Sequence, residues 1–293
     1  MGFDNSDLKF LLSGMSGQSV CTLGRQNLFL SQSELSRTLA EFERPALSLP
    51  NRAIYYAEDV LRPLGFSVDS VDASNYESAT IIHDLNNPIP DGLVERFDIV
   101  WDGGTLEHVF NFPTALVNAM RMVKIGGHLA LRTPANNQCG HGFYQFSPEL
   151  FYRIFTSQNG FEIVRLYISS KGKYFHVRDP AEAHCRVELL DKDAAMLMVD
   201  ARKTSRVPEN ISAPQQSDYV DLWRKGPQAD GRLKSFFRGR LSPETITTIS
   251  RVLNELRQRQ AVLKWRRRSK LSNPAFYSPV RQWNQPTRDV WGK

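Results

Sequence analysis

The chain has 293 residues, 41% of them hydrophobic and 23% charged, with three cysteines and a net charge of +6. This composition suits a folded domain with a sizeable core and excludes a disordered or collagen-like chain. No run approaches the roughly 18 apolar residues that cross a bilayer. Residues 1–17 place Asp4 and Asp7 ahead of the short apolar patch Phe10-Leu11-Leu12, which is not the pattern of a secretory signal. Cys21, Cys139 and Cys185 are far apart and form neither a CxxC pair nor a zinc spacing. That excludes a disulfide scaffold, gives no reason to expect a metal, and leads us to expect free thiols and a cytoplasmic protein.

The charge is uneven. Residues 204–293 hold 18 Lys and Arg against 7 Asp and Glu, whereas residues 1–203 hold 19 against 24. An acidic body carries a basic, proline-rich tail, and we expect a domain over 1–203 and an extension over 204–293.

In chain order, Ser19–Leu23 is a short strand ending at Gly24. Ser31 and Glu34 form a capping box that opens a helix through about Phe42. A second helix is expected over Arg52–Leu64, with Ile54, Ala57, Val60, Leu61 and Leu64 on one stripe. Strands follow at Phe66–Val71, Ala79–His83 and Phe97–Trp101. Pro113–Val123 reads as a helix stopped by Gly126-Gly127, and His128–Thr133 as the next strand. Ser147-Pro148-Glu149 combines an N-cap, a first-turn proline and a first-turn acid. That helix should run to about Asn159, with Gly160 as its stop. Phe161–Ile168 is strand, Asp179-Pro180 opens a short helix to about Glu188, and Ala194–Ala201 is the last strand of the body. Strands alternating with helices imply a mostly parallel sheet with helices on both faces, in which ligands bind at the carboxyl ends of the strands.

Those ends carry Gly24-Arg25-Gln26, Asp72, Asp84-Leu85, Asp102-Gly103 with Glu107-His108 just beyond, and Thr133 to Asn137. A carboxylate after the second strand can accept both ribose hydroxyls of a nucleoside. One after the third can accept the exocyclic amine of adenine. Each acid has the plain alternative of an ordinary turn residue.

The order VDAS, IIHDLNNPIP, RFDIVWDGGTLEHV, MVKIGGHLALRTP and YQFSPELFYRIFTSQNGFEIVRLY resembles the class I S-adenosylmethionine-dependent methyltransferases. More narrowly, it is similar to their small-molecule, type 11-like branch, over about residues 18–203. The resemblance implies a Rossmann-like, seven-stranded α/β sheet with helices on both faces, and S-adenosylmethionine as cofactor. It implies Asp72 as ribose ligand, Asp84 and Leu85 as adenine contacts, and Asp102 and Gly103 as the wall beside the methionine part. Glu107-His108 matches the pair beside the active-site mouth. The family's first loop reads acid-x-Gly-x-Gly-x-Gly; here only Gly24 remains, with no acid. Arg25 either grips the cofactor's carboxylate or fills the pocket.

His108 and His141 are the candidate bases, since histidine titrates near neutral pH. Against this, Glu107-His108 can simply brace the following helix, and His141 can bond a backbone carbonyl. Phe143 and Tyr144 read as pocket wall, and Asn136 and Asn137 as turn formers or acceptor-binding amides. His83 has no expected role.

In the extension, Ser242-Pro243-Glu244 starts a helix near 243–265. Its seam of Ile246, Ile249, Leu253, Leu256 and Leu263 docks on the body or forms a homodimer. The run Lys264-Trp265-Arg266-Arg267-Arg268 reads as a solvated helix end; no recognition motif accompanies it, so nucleic acid is not the expected partner. The expected function is methyl transfer to a small-molecule or glycan acceptor, at oxygen, with a catalytically inactive binding or scaffold protein as the alternative. A dinucleotide oxidoreductase is excluded because no G-x-G-x-x-G follows the first strand.

Overall fold

The computed structural model describes residues 2–225, 255–256, 259–260, 262–263, 265–266 and 268–291. The first residues fold before the expected first strand. β1 (Gly2–Asp4) leads into α1 (Asn5–Leu12), where the Asp4 carboxylate accepts from the amides of Ser6 and Asp7 and the Asp7 carboxylate accepts from the amide of Asp4. This is a capping box built from two aspartates. β2 (Ser19–Leu23) follows, then β3 (Asn27–Phe29), which pairs in parallel with β1. α2 (Gln32–Glu41) starts on the Ser31–Glu34 capping box, as its sequence requires.

The second expected helix is much shorter than 52–64: α3 covers only Glu58–Leu61. The backbone of residues 55–57 bonds to 26–28 instead, with the Leu28 amide donating to the Tyr55 carbonyl and the Ala57 amide to the Gln26 carbonyl. Ile54, on the expected apolar stripe, is exposed.

β4 (Ser67–Asp72), β5 (Ile81–Ile82) and β6 (Phe97–Asp102) are the next strands, β5 being shorter than its apolar run suggests. α4 (Phe112–Met122) passes into β7 (Val123–Asn136), which runs straight through the glycine pair expected to precede it. Gly126 adopts φ +87°, and the register with β6 shifts nearby, so the glycines bend the strand.

α5 (Pro148–Ile154) stops five residues early, although Gly160 does take the left-handed conformation (φ +79°) that ends the segment. β8 (Phe161–Ser170) is the expected strand, two residues longer, and it forms a hairpin with β9 (Lys173–Val177), which has no sequence expectation behind it. α6 (Pro180–Ala183), β10 (Ala195–Lys203), α7 (Ser217–Lys225) and β11 (Tyr277–Pro279) complete the elements. The helix start at 242–244 and most of the apolar seam after it lie outside the described residues.

One sheet organises the fold, in the order β11-β9-β8-β10-β7-β6-β2-β4-β5. The strands from β7 to β5 are parallel, while β10 is antiparallel to both β7 and β8. Leaving aside β9 and β11 at the edge, the order is third, second, first, fourth, fifth, seventh, sixth, with the seventh strand reversed. Alternating side chains feed two cores. Val100 and Leu131 pack with Leu116, Met120 and Phe151 of α4 and α5. Ile99 and Trp101 pack on the other face with Phe3, Phe10 and Leu35.

The last described residues close on this body. Arg165, fully buried on β8, pairs with Asp200 on β10 at 2.7 Å and donates to the Trp283 carbonyl at 2.8 Å. The Tyr167 hydroxyl donates to the same carbonyl, and the Thr287 hydroxyl accepts from the Leu166 amide.

Candidate active site at the strand carboxyl ends

Sheet register brings the expected site residues to one rim. Leu23, last in β2, stands beside Val71 of β4 and Asp102 of β6, and Asp72 stands beside Ile82 of β5. The Gly24 amide donates to the Val71 carbonyl at 2.7 Å, and the His83 amide to the Asp72 carbonyl at 2.8 Å. Gly24, Asp72, Asp84 and Asp102 are therefore neighbouring tips, joined by strand pairing rather than by nearness in sequence.

The two nucleoside acids differ in freedom. Asp72 accepts from the Ser74 amide through one oxygen, and its second oxygen has no bond among the described residues. Asp84 is exposed and accepts from the Asn86 amide at 2.9 Å and its side chain at 2.8 Å, which hold its carboxyl below the usual range. Leu85, next to it, is buried, and its carbonyl accepts from Asn118.

The first loop is tight. Gly24 sits at φ +68°, and a Cβ there would come 2.8 Å from the Thr105 hydroxyl, which donates to the Leu23 carbonyl. Arg25 turns away from the strand tips: its Nε donates to Glu58, its Nη1 to the Glu77 carbonyl, and its guanidinium lies 3.8 Å from the Tyr56 ring centre. Gln26, buried and without a sequence expectation, folds back over the tips. Its side-chain nitrogen donates to the Leu23 carbonyl at 2.6 Å. Its oxygen has no partner and stands where a Cβ on Gly103 would be.

Beyond β6, Asp102 is buried and accepts from the amides of Thr105 and Leu106, so its carboxyl holds the turn at 103–106. That turn presents Glu107 inward and His108 outward. Glu107 accepts from the Thr133 hydroxyl through one oxygen, and its other oxygen is unsatisfied. Burial drives both carboxyls well above the usual carboxylate range, each charge opposing the other at Glu107. The Glu107 carbonyl accepts from the amides of Phe143 and Tyr144, which fastens the loop after β7 over the turn.

That loop brings His141 to Glu107 (Nε2 to Oε1, 3.5 Å) and its ring centre to 4.9 Å from that of His108. Burial and the neighbouring His141 hold His108 below the ordinary histidine range. The two candidate bases are thus together, with a buried acid between sheet and loop. Asn136 and Asn137 point elsewhere: their amides donate to carbonyls of Leu189, Asp191 and Asp193. Cavities of about 490 and 300 Å³ open near the amino end of β8, beside Phe161, Glu162 and Ile163, on the rim opposite these tips.

No family model matches the chain, and no curated protein matches it. Solved structures are similar at low identity. The 1,6-didemethyltoxoflavin-N1-methyltransferase of Burkholderia thailandensis, with bound 1,6-didemethyltoxoflavin and S-adenosylhomocysteine, is 14% identical (TM-score 0.37), over 69% of this chain and 76% of that one. A SAM-dependent methyltransferase from Aquifex aeolicus is 12% identical (TM-score 0.35), over 68% and 89%. The branched-chain polyamine synthase of Thermus thermophilus, in complex with N4-aminopropylspermidine and 5'-methylthioadenosine, is 13% identical (TM-score 0.35), over 72% and 58%. Likeness at this level says nothing of reaction or acceptor. The strand order with its reversed seventh strand is the class I S-adenosylmethionine-dependent methyltransferase fold.

Proposed function

We propose that the chain is an S-adenosylmethionine-dependent methyltransferase that acts on a hydroxyl of a small molecule or glycan. The observation that carries the reading is the placing of Asp72 and Asp84 on adjacent strand tips of this fold, with one Asp72 oxygen unbonded. Asp72 would hold the ribose, Asp84 and the Leu85 backbone the adenine, and Gly24, Asp102 and Gly103 the wall beside the methionine end. Arg25 braces the first loop through Glu58. When bound, the cofactor supplies an activated methyl group, and the protein has to orient the acceptor and manage its proton. His108 and His141, with ring centres 4.9 Å apart, would take the acceptor hydroxyl's proton, and Phe110 and Phe143 form an exposed aromatic lip.

The donor set fits the adenosyl half. At the methionine end Gln26 turns out on binding, giving up its bond to Leu23. A second reading, a methyltransferase fold that has lost catalysis and serves as a scaffold or binding module for another partner, draws on the Gln26 side chain over Gly103. Thermal denaturation separates the two. S-adenosylhomocysteine at about 100 times its Kd stabilises a binding-competent fold by about 2.7 kcal/mol. For a domain of this size, that is about 5–10 °C in Tm. No rise at millimolar ligand favours the second reading.

A further inference from the structure

Glu107, His108 and His141 form the one group of this kind among the described residues in which a carboxylate oxygen and two imidazole nitrogens converge, all within 4.8 Å of one another. We propose that these three side chains bind a first-row divalent cation, which holds the acceptor's oxygen in its open coordination positions. The site's role rests on the methyl-transfer reading; its existence does not.

Geometry favours a cation over a direct contact. Glu107 Oε1 and His141 Nε2 are 3.5 Å apart, and neither has a hydrogen-bond partner. That is long for a charge-assisted bond. Donors about 2.1 Å from a tetrahedral centre stand about 3.4 Å apart, which is the spacing seen here. Glu107 is fully buried and its free oxygen points into the cluster. Asp102, also buried, leaves one oxygen unpartnered nearby in sequence. No lysine or arginine pairs with either acid among the described residues, so a bound cation would supply the positive partner that the cluster lacks.

The surroundings hold the ligands in place. Thr133 donates to the other Glu107 oxygen and orients the carboxylate. Bonds from the Phe143 and Tyr144 amides to the Glu107 carbonyl fix the loop that carries His141. His108 is exposed, so its ring is free to swing onto the ion. Two imidazoles and one carboxylate suit zinc, manganese, cobalt or iron rather than magnesium or calcium, which take oxygen donors. Three protein ligands also leave positions open to a hydroxyl.

The test is calorimetric titration of the chelator-stripped, full-length protein with cobalt(II), with the absorption spectrum recorded alongside. We expect a single site in the wild type. His108→Ala, His141→Ala and Glu107→Gln should each weaken it by about tenfold or more, while His184→Ala, distant and exposed, leaves it unchanged. His108 is exposed, so its variant keeps the fold even if Glu107→Gln does not. Absence of binding at millimolar cobalt, equal binding in both histidine variants, or a thiolate-to-cobalt band assigning the ion to Cys139 would each overturn the proposal. S-adenosylhomocysteine binding measured on the same samples separates this result from the methyl-transfer reading: either ligand can bind without the other.

Discussion

Gln26 closes over Gly103. The Gln26 side-chain nitrogen is tied to the Leu23 carbonyl at 2.6 Å, and its unpartnered oxygen faces the bare α-carbon of Gly103. Gly103 is buried, and the Trp101 indole nitrogen stands 3.1 Å from where a Cβ would be. Gly103→Ala should therefore cost about 1–3 kcal/mol of stability through overpacking and abolish S-adenosylhomocysteine binding. Gln26→Ala should act oppositely on binding. It removes a hydrogen bond worth about 1 kcal/mol that the ligand has to break, so affinity should rise about fivefold. Urea denaturation and calorimetry of both variants read these effects; unchanged affinity in Gln26→Ala would mean that the side chain does not obstruct the ligand.

Arg25 gives a different expectation. Its bonds go to Glu58 and Glu77, and its ring contact to Tyr56. Arg25→Ala leaves the Glu58 carboxylate, which is almost wholly buried, without its partner. We expect a loss of about 1–3 kcal/mol in urea denaturation, with S-adenosylhomocysteine affinity changed less than in Asp72→Ala. A loss of affinity as large as that of Asp72→Ala would make Arg25 a direct ligand of the cofactor.

The clamp on the last described residues depends on Arg165. It joins Asp200, the Ser13 hydroxyl and the Trp283 carbonyl, all at a fully buried guanidinium. Arg165→Met leaves the buried Asp200 with His128 as its one remaining side-chain partner and should cost about 3 kcal/mol. Removing residues from 270 onward should destabilise the body as well, because it strips β11 from β9 and the Thr287 hydroxyl from Leu166. A truncated chain with an unchanged urea midpoint would show that this segment is dispensable to the fold.

His176 makes the same region sensitive to acid. Burial and the neighbouring Arg165 push it down to about 4, and its ring lies against Tyr167 with Nδ1 on the Thr287 hydroxyl. The unfolded chain takes up a proton at this residue from about pH 6.5 downward, whereas the folded chain resists until about 4. Stability is therefore intact above pH 6.5 and falls as the pH drops through that window. The buried Asp102 and Glu107 carboxyls act in the opposite sense in both chains, so the expected effect is a difference: the urea midpoint of the wild type should fall relative to that of His176→Gln between about pH 7 and about pH 5. An identical slope in the variant would remove His176 as the cause.

Much of this was legible in the sequence where the determinants are local. The Ser31–Glu34 box, the Ser147-Pro148-Glu149 start and the left-handed stop at Gly160 all act within a few residues. The strand tips with Asp72, Asp84 and Asp102 followed from alternation and order. What escaped depends on distant partners. Residues 52–64 have a helical stripe, but the backbone of 55–57 pairs with 26–28. Gly126-Gly127 looks like a stop, yet β7 continues past it, paired with β6 at Val123 before the glycines and with β6 and β10 from His128 after them. Asp4 and Asp7 cap a helix with two aspartates, where Ser or Thr with Glu is the usual signal. Glu107 reads as half of a pair at the active-site mouth or as a helix brace; its burial goes with the distant loop carrying His141, whose Phe143 and Tyr144 amides bond its carbonyl. Gln26 carries no signal at all, since its position over Gly103 exists only once β2 and β6 are paired.

The central claim is that Asp72 holds the ribose of an adenosyl cofactor. Calorimetric titration of S-adenosylmethionine into wild type and Asp72→Ala tests it most directly. We predict micromolar binding in the wild type and a loss of about 1.5–3 kcal/mol, tenfold or more in Kd, in the variant. Equal affinity in the two proteins, or no heat of binding in the wild type at millimolar ligand, would contradict it.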